Sequence, residues 1–391
     1  MHSRPAVTGS RKRAVTAGLV AAALALGWQF LVVRYTFGGN WTAWFCTGGN
    51  VEQPKALDFE HLYRFPQSDG YDGQFYHYIA HDPWFQRGFD RYIDAPRLRY
   101  RRILNPGLAF VLSAGQDRWV DAALVALNLL FIFAGAYWLS RYAQIHGYHA
   151  AWGTVFLLAP AVLVSLDRLT ADLALTALCV AFALYVSEKR SGELYVVLLL
   201  APLARETGLL LTAACCIVLL FERHSKPAFV FATSAIPALA WYAFVQSHTV
   251  PYDSSRWFTP IPFGGLIDRM IHPVTYAFVP VVKWLAEIFD ECSLAGVALA
   301  FVFSFRPSSR FPRPLALAAL LTTLSGIALG KPFWGDAFAF GRVFSPLVVL
   351  VALQSFATRS WWPALPLALI DPRIGLQLGY KLFQIARTLF A

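Results

Sequence analysis

From Ser68 to Pro83 the chain reads Ser-Asp-Gly-Tyr-Asp-Gly-Gln-Phe-Tyr-His-Tyr-Ile-Ala-His-Asp-Pro. It is the densest run of ionisable, polar and aromatic residues in a mostly apolar sequence. Gly70 and Gly73 flank Asp72 and permit a tight turn to which another molecule can come close. The spacing predicts a short helix N-capped by Asp72, with Phe75 and Ile79 on one face, His77 and His81 on another, and Pro83 as its stop. A carboxylate on such a turn suits general-base work, taking a proton from an acceptor hydroxyl. Asp69 is its partner or its substitute in that role. His77 and His81 have the i, i+4 spacing of a metal pair, with Asp82 and Asp94 nearby. Spacing fixes no third ligand, so both are expected as polar residues on the wet face of an interfacial helix. No motif demands a cofactor, and a divalent metal is left open.

An arginine run follows: Arg87, Arg91, Arg97, Arg99, Arg101 and Arg102. Part of it is expected to meet lipid headgroups or to pair with Asp90 and Asp94. Arg101 and Arg102 are the members expected to reach a substrate phosphate.

The elements that position these residues are set by composition. Of 391 residues, 57% are hydrophobic and 14% charged, with a mean hydropathy of +0.49, against roughly 25% charged in a soluble domain. The sequence is therefore read as an all-α polytopic membrane protein, a single transmembrane domain over residues 1–391. Part of the net charge of +10 is assigned to cytoplasmic loops obeying the positive-inside rule, and nucleic acid is not expected as a partner. Cys179, Cys215 and Cys216 lie in apolar runs, so the five cysteines make no disulfide framework.

Residues 14–33, after Arg11-Lys12-Arg13, are long enough to be a retained first span rather than a signal h-region. Residues 34–118 form a long first external loop. Within it, residues 103–114, which contain Pro106, are too short to cross and are expected as an interfacial or re-entrant helix. Further spans are expected at 119–140, 150–166, 170–186, 227–246, 292–305, 315–329 and 343–356, with a short hairpin at 194–204 and 208–221. Residues 266–290, carrying Arg269, His272 and Lys283, are expected along the surface, and 361–385 is left unplaced. Counting basic loops as cytoplasmic gives about ten or eleven crossings with the amino terminus inside. Asp72, Arg102, Asp117-Arg118, Asp167-Arg168, Asp172, Arg205-Glu206, Asp336 and Arg342 then all fall on the outer side. Ionisable groups beside membrane segments are costly and usually serve a cavity.

An external carboxylate, several arginines and a bilayer suggest transfer from a lipid phosphate. A polyprenyl-phosphate sugar leaves its phosphate without a general acid, so one base and a set of phosphate-binding cations suffice. No Walker loop, dinucleotide-binding glycine motif or nucleophile elbow is present.

The order of first span, long external loop with an early aspartate, interfacial helices and multi-span bundle resembles the GT-C glycosyltransferases. These include the protein O-mannosyltransferases and the aminoarabinose transferase of lipid A. Gly70-Tyr71-Asp72-Gly73-Gln74-Phe75-Tyr76 with Ala80-His81-Asp82-Pro83, then Arg99-Tyr100-Arg101-Arg102-Ile103-Leu104-Asn105-Pro106, is similar to a bacterial GT-C-like group that forms cell-surface glycopolymers. The specific likeness covers about residues 40–118; elsewhere it lies in hydropathy and in the placement of Arg168, Asp172 and Arg205-Glu206. It implies a GT-C-like bundle in a bacterial inner (plasma) membrane, facing the periplasm or outside. It also implies a polyprenyl-phosphate-linked sugar donor and a cell-envelope glycan, lipid or protein acceptor. Asp72 takes the base position, Arg342 contacts the lipid phosphate, and Asp172, Arg168, Tyr76 and His77 are further candidate contacts. The chain departs from relatives with adjacent acidic pairs, since Gly70-Tyr71 separates Asp69 from Asp72. Rival readings are a transporter or flippase of lipid-linked glycans, which predicts internal repeats and broken helices, a polymerase or ligase of such glycans, and a non-catalytic scaffold.

Overall fold

The computed structural model describes residues 7–251 and 257–390. Its helices begin with α1 (Val7–Thr36), a proline-free, Ala- and Leu-rich run. The connection to the next long helix holds 3-10 segments Trp41–Phe45 and Lys55–Glu60. It also holds a two-stranded parallel pair, β1 (Thr47–Gly48) with β2 (Arg64–Phe65). Three short helices follow: α2 (Asp72–His81), α3 (Pro96–Arg99) and α4 (Leu104–Leu112). Next come α5 (Asp117–Ile145), α6 (Pro160–Arg168), α7 (Asp172–Glu188), α8 (Ser191–Ala204) and α9 (Leu209–Phe221). The remainder is α10 (Ser225–Ala232), α11 (Ile236–His248), α12 (Gly264–Ile271), α13 (Pro280–Phe305), α14 (Arg313–Gly326), α15 (Ala337–Val343), α16 (Ser345–Thr358) and α17 (Leu365–Phe390).

α7 is the centre of the bundle. It is apolar on every side, which marks a helix surrounded by others, and each residue from Asp172 to Leu184 is buried. It packs on α5, α8 and α16. At one end of the bundle Ser10 near the start of α1 bonds Gln144 near the end of α5 (2.7 Å), and Arg141 pairs with Glu188 at the end of α7 (2.8 Å). At the other end lie α2, the start of α5, the end of α6, the start of α7 and the segment after α8.

The all-α reading agrees with these elements. Among the described residues, four helices are long and apolar enough to cross a membrane: Ser10–Thr36, Asp117–Ile145, Ser225–His248 and Pro280–Phe305. There are up to six if the bent pairs Ala150–Leu158 with Pro160–Arg168 (61°) and Ala337–Val343 with Ser345–Thr358 (62°) each count as one. That is fewer than the expected ten or eleven. Several apolar runs are divided by breaks, or, like α8 and α9, are too short alone to cross a bilayer of about 30 Å. The stretch expected along the surface is also divided: α12 is separate, but residues 280–290 begin the long α13. The unplaced carboxyl-terminal segment is a helix, α17, packed on α13 and α1. All five cysteines are free.

Candidate active site

α2 exists because the chain reverses sharply just before it. Gly70 has φ +81°, a left-handed value that favours glycine. Gly73 lets the helix start lie against the preceding elements: a Cβ there would sit 2.5 Å from the Arg168 carbonyl and 2.9 Å from that of Phe45. The expected cap is corrected. Tyr71 occupies the N-cap position without a side-chain bond, and Asp72 is the first helical residue. Its carboxylate is committed elsewhere.

Asp72 accepts from Arg342 and stands 2.8 Å from Arg99 Nη1. Arg342 Nη1 also donates to Asp172 (3.1 Å), and Asp172 is paired in turn with Arg205. Two carboxylates thus share one guanidinium, and each has a second of its own. Arg99 turns its other edge to Asp94 in a two-pronged bond of 3.0 and 2.9 Å. Burial would raise the Asp72 carboxyl, but the charges of Arg342 and Arg99 and their hydrogen bonds outweigh it and hold it well below the usual carboxylate range.

The other predicted residues divide into groups. Arg102 forks onto Glu206 (2.9 and 2.7 Å) and donates to the Tyr76 hydroxyl (3.1 Å). Arg205 and Glu206, adjacent in sequence, each take their closest partner from another element, Asp172 and Arg102. Arg101 lies over the Tyr242 ring (5.5 Å), and Arg168 over Tyr71 (4.4 Å) and Phe338 (4.8 Å). Asp69 stays apart from this group: it is exposed and accepts from Asn50 (3.1 Å). His77 and His81 are not on a wet face but are fully buried side chains, His77 beside Glu60 and Asp121 and His81 beside Glu60 and Asp117. Asp82, the sequence candidate for their company, caps the next turn by accepting from the backbone of Gln86, Arg87 and Phe89.

Two cavities border the arginine cluster. One, of about 480 Å³, is lined by Arg97, Arg101, Arg102 and Arg205 on one side and by apolar side chains such as Leu329 and Phe344 on the other. The second, of about 330 Å³, is bordered by Tyr71, Arg168, Gln377 and Lys381. Lys381, from α17, pairs with Asp167. Tyr71 stands against both Arg168 and Arg342, and its hydroxyl is buried with no hydrogen-bond partner among the described residues. A buried hydroxyl left in that state is a functional-site signal.

Sequence reasoning passed over Tyr71, Arg99, Lys381 and Glu60. Arg99 was visible as a member of the arginine run, and Tyr71 as the residue before Asp72. Nothing in the sequence links Glu60 or Lys381 to the site. Comparison of the chain with protein-family models, with curated proteins and with solved structures finds no match.

Proposed function

We propose that this is a membrane glycosyltransferase of GT-C type, moving a sugar from a polyprenyl-phosphate donor to a cell-envelope acceptor on the outer side of a bacterial plasma membrane. The observation that carries the reading is the buried Asp72 carboxylate held by Arg342 and Arg99. It belongs to a network that reaches a cavity walled by arginines on one side and apolar residues on the other. That pairing of surfaces suits a phosphate with a hydrocarbon tail.

The acceptor hydroxyl oxygen attacks the anomeric carbon as the bond from that carbon to the phosphate oxygen breaks. The phosphate leaves with the bonding electron pair, Asp72 takes the hydroxyl proton, and arginines meet the growing phosphate charge. One displacement inverts the anomeric centre. A carboxylate clamped by two guanidiniums is a weak base. An arriving phosphate competes for Arg205, which frees Asp172 to draw Arg342 away from Asp72, so Asp72 gains basicity only when donor is bound. The second cavity, beside Tyr71, has room and polar groups for the acceptor.

The test is transfer by the purified protein from a panel of radiolabelled polyprenyl-phosphate sugars to crude envelope acceptor. Asp72→Asn should lose about 10²–10⁴-fold in turnover while still binding donor, and Asp69→Asn should remain near wild type. Loss only in Asp69→Asn would move the base to Asp69. Wild-type turnover in both variants would remove the base mechanism, and no transfer from any donor would remove the glycosyltransferase reading.

A further inference from the structure

α2 carries His77 and His81 one turn apart, and α5 carries Asp117 and Asp121 one turn apart, so two i, i+4 pairs face each other across the helix contact. Glu60, the last residue of the 3-10 segment Lys55–Glu60, closes the group from a third side. We infer that Glu60, His77, His81 and Asp121 bind one divalent transition metal of the zinc kind, which pins α2 to α5 and to the loop before it.

The ligand atoms are already arranged around a centre. His77 Nε2 is 2.9 Å from Asp121 Oδ1, 3.1 Å from Glu60 Oε2 and 3.1 Å from His81 Nε2; His81 Nε2 is 3.1 Å from Glu60 Oε1 and 3.8 Å from Asp121 Oδ1. A tetrahedral ion with bonds of about 2.0–2.1 Å separates its ligands by roughly 3.3 Å, in the middle of that range. One donor atom from each of the four residues lies within 4.8 Å of the others.

Without a metal the same arrangement is poorly satisfied. Among the described residues, both Glu60 oxygens lack a hydrogen bond of acceptable geometry, and the side chain is only 5% exposed. The two Nε2 atoms point at each other, so two protonated rings would set N–H against N–H. His81 Nδ1 is 2.8 Å from Asp117, which in turn accepts from Arg87 (2.7 Å). A proton on Nδ1 leaves the Nε2 lone pair aimed at the centre, and a carboxylate behind a ligating histidine is the usual outer support of a metal site. Phe45 stacks on the His77 ring at 4.1 Å and 9°, fixing its plane.

Two imidazoles and two carboxylates favour zinc or a similar transition ion over magnesium or calcium, which take oxygen ligands alone. Four protein donors make a closed, structural site. Its task is mechanical: it fixes the helix whose first residue is Asp72. The site stands whether or not the glycosyltransferase reading does.

Full-length protein should be purified in detergent without a histidine tag and its metals measured by elemental analysis. The expected result is about one zinc, or one comparable transition ion, per chain. Chelation should lower the melting temperature, and zinc should restore it. Cobalt added to the stripped protein should give the visible absorption of a tetrahedral ion. Glu60→Gln and Asp121→Asn preserve shape and should each reduce retained metal, and Asp117→Asn should weaken affinity about 10–100-fold. A folded, monodisperse wild type with no bound metal, no cobalt spectrum and no melting response to zinc would overturn the site. Full metal retention in the Glu60→Gln, Asp121→Asn double variant would overturn the ligand assignment.

Discussion

Arg342 stands between two carboxylates and bonds both. Buried charge is stable only when its partners are complete, and removing one member of such a pair usually costs about 3–5 kcal/mol. Here Asp72 keeps Arg99 and Asp172 keeps Arg205, so Arg342→Ala should cost near the lower end, about 3 kcal/mol. Thermal unfolding in detergent measures it, and an unchanged melting temperature would mean the three groups are not coupled. The type and neighbourhood of Asp72 made it legible from the sequence. The distinction between Asp72 and Asp69 was not. Two acids three residues apart on a glycine turn are equivalent on paper, and only the left-handed Gly70 and the bond to Asn50 turn one of them away. The arginines could be seen, but their division of labour could not. Which carboxylate each one takes depends on helices far apart in sequence.

At the scale of the element, α2 is positioned by close backbone approach at its start. Gly73→Ala would press a methyl group against the carbonyls of Arg168 and Phe45. Backbone cannot move aside as a flexible side chain can, so the expected cost is about 1–3 kcal/mol. Gly192, near the start of α8 with open space around its Cα, is the control: Gly192→Ala should leave stability unchanged or raise it by up to about 1 kcal/mol. Melting curves of the two variants decide, and equal curves would mean α2 is free to shift. The short helices α2 and α4 of the first long connection were legible because glycine and proline punctuate them, as was the hairpin of α8 and α9, whereas α3, a single turn within the arginine run, was not. The start of α13 was not. Arg269, His272 and Lys283 argued against a membrane helix there, but Arg269 is paired with Asp290 of α13, which also accepts from the Ala337 backbone N–H (3.0 Å). Tertiary partners neutralise what looks prohibitive in a linear sequence. The breaks around Pro160 and between α15 and α16 likewise divide apolar runs that hydropathy alone reads as whole.

Across the whole molecule the two ends of the bundle differ in kind. One end gathers Asp72, Asp172, Arg99, Arg102, Arg205 and Arg342 into ion pairs, and Arg102 and Arg205 among them line a cavity. The other joins helix termini through Ser10 with Gln144, Arg141 with Glu188, and Arg313 with Glu222 (3.3 Å), amid the basic segments 11–13, 189–190 and 306–313. Loop charge of this kind sets orientation, with the arginine- and lysine-rich termini held in the cytoplasm. The arginines of the first loop are the exception, and many are engaged with carboxylates, rings or backbone carbonyls rather than left as free loop charge. Orientation follows as a prediction, testable in a chain whose five native cysteines are replaced. Glu52→Cys and Arg310→Cys place single thiols at exposed positions on the first loop and on the basic connection between α13 and α14. A membrane-impermeant maleimide should label Glu52→Cys in intact cells and Arg310→Cys only after permeabilisation. The reverse pattern would turn Asp72 toward the cytoplasm and remove the proposed outward-facing transfer. Labelling of both in intact cells would mean that the bundle does not separate these two ends across the membrane. The expected pattern would put both cavities, the Asp72 cluster and the Glu60–His77–His81–Asp121 centre on one accessible face, where a donor anchored in the outer leaflet can reach them.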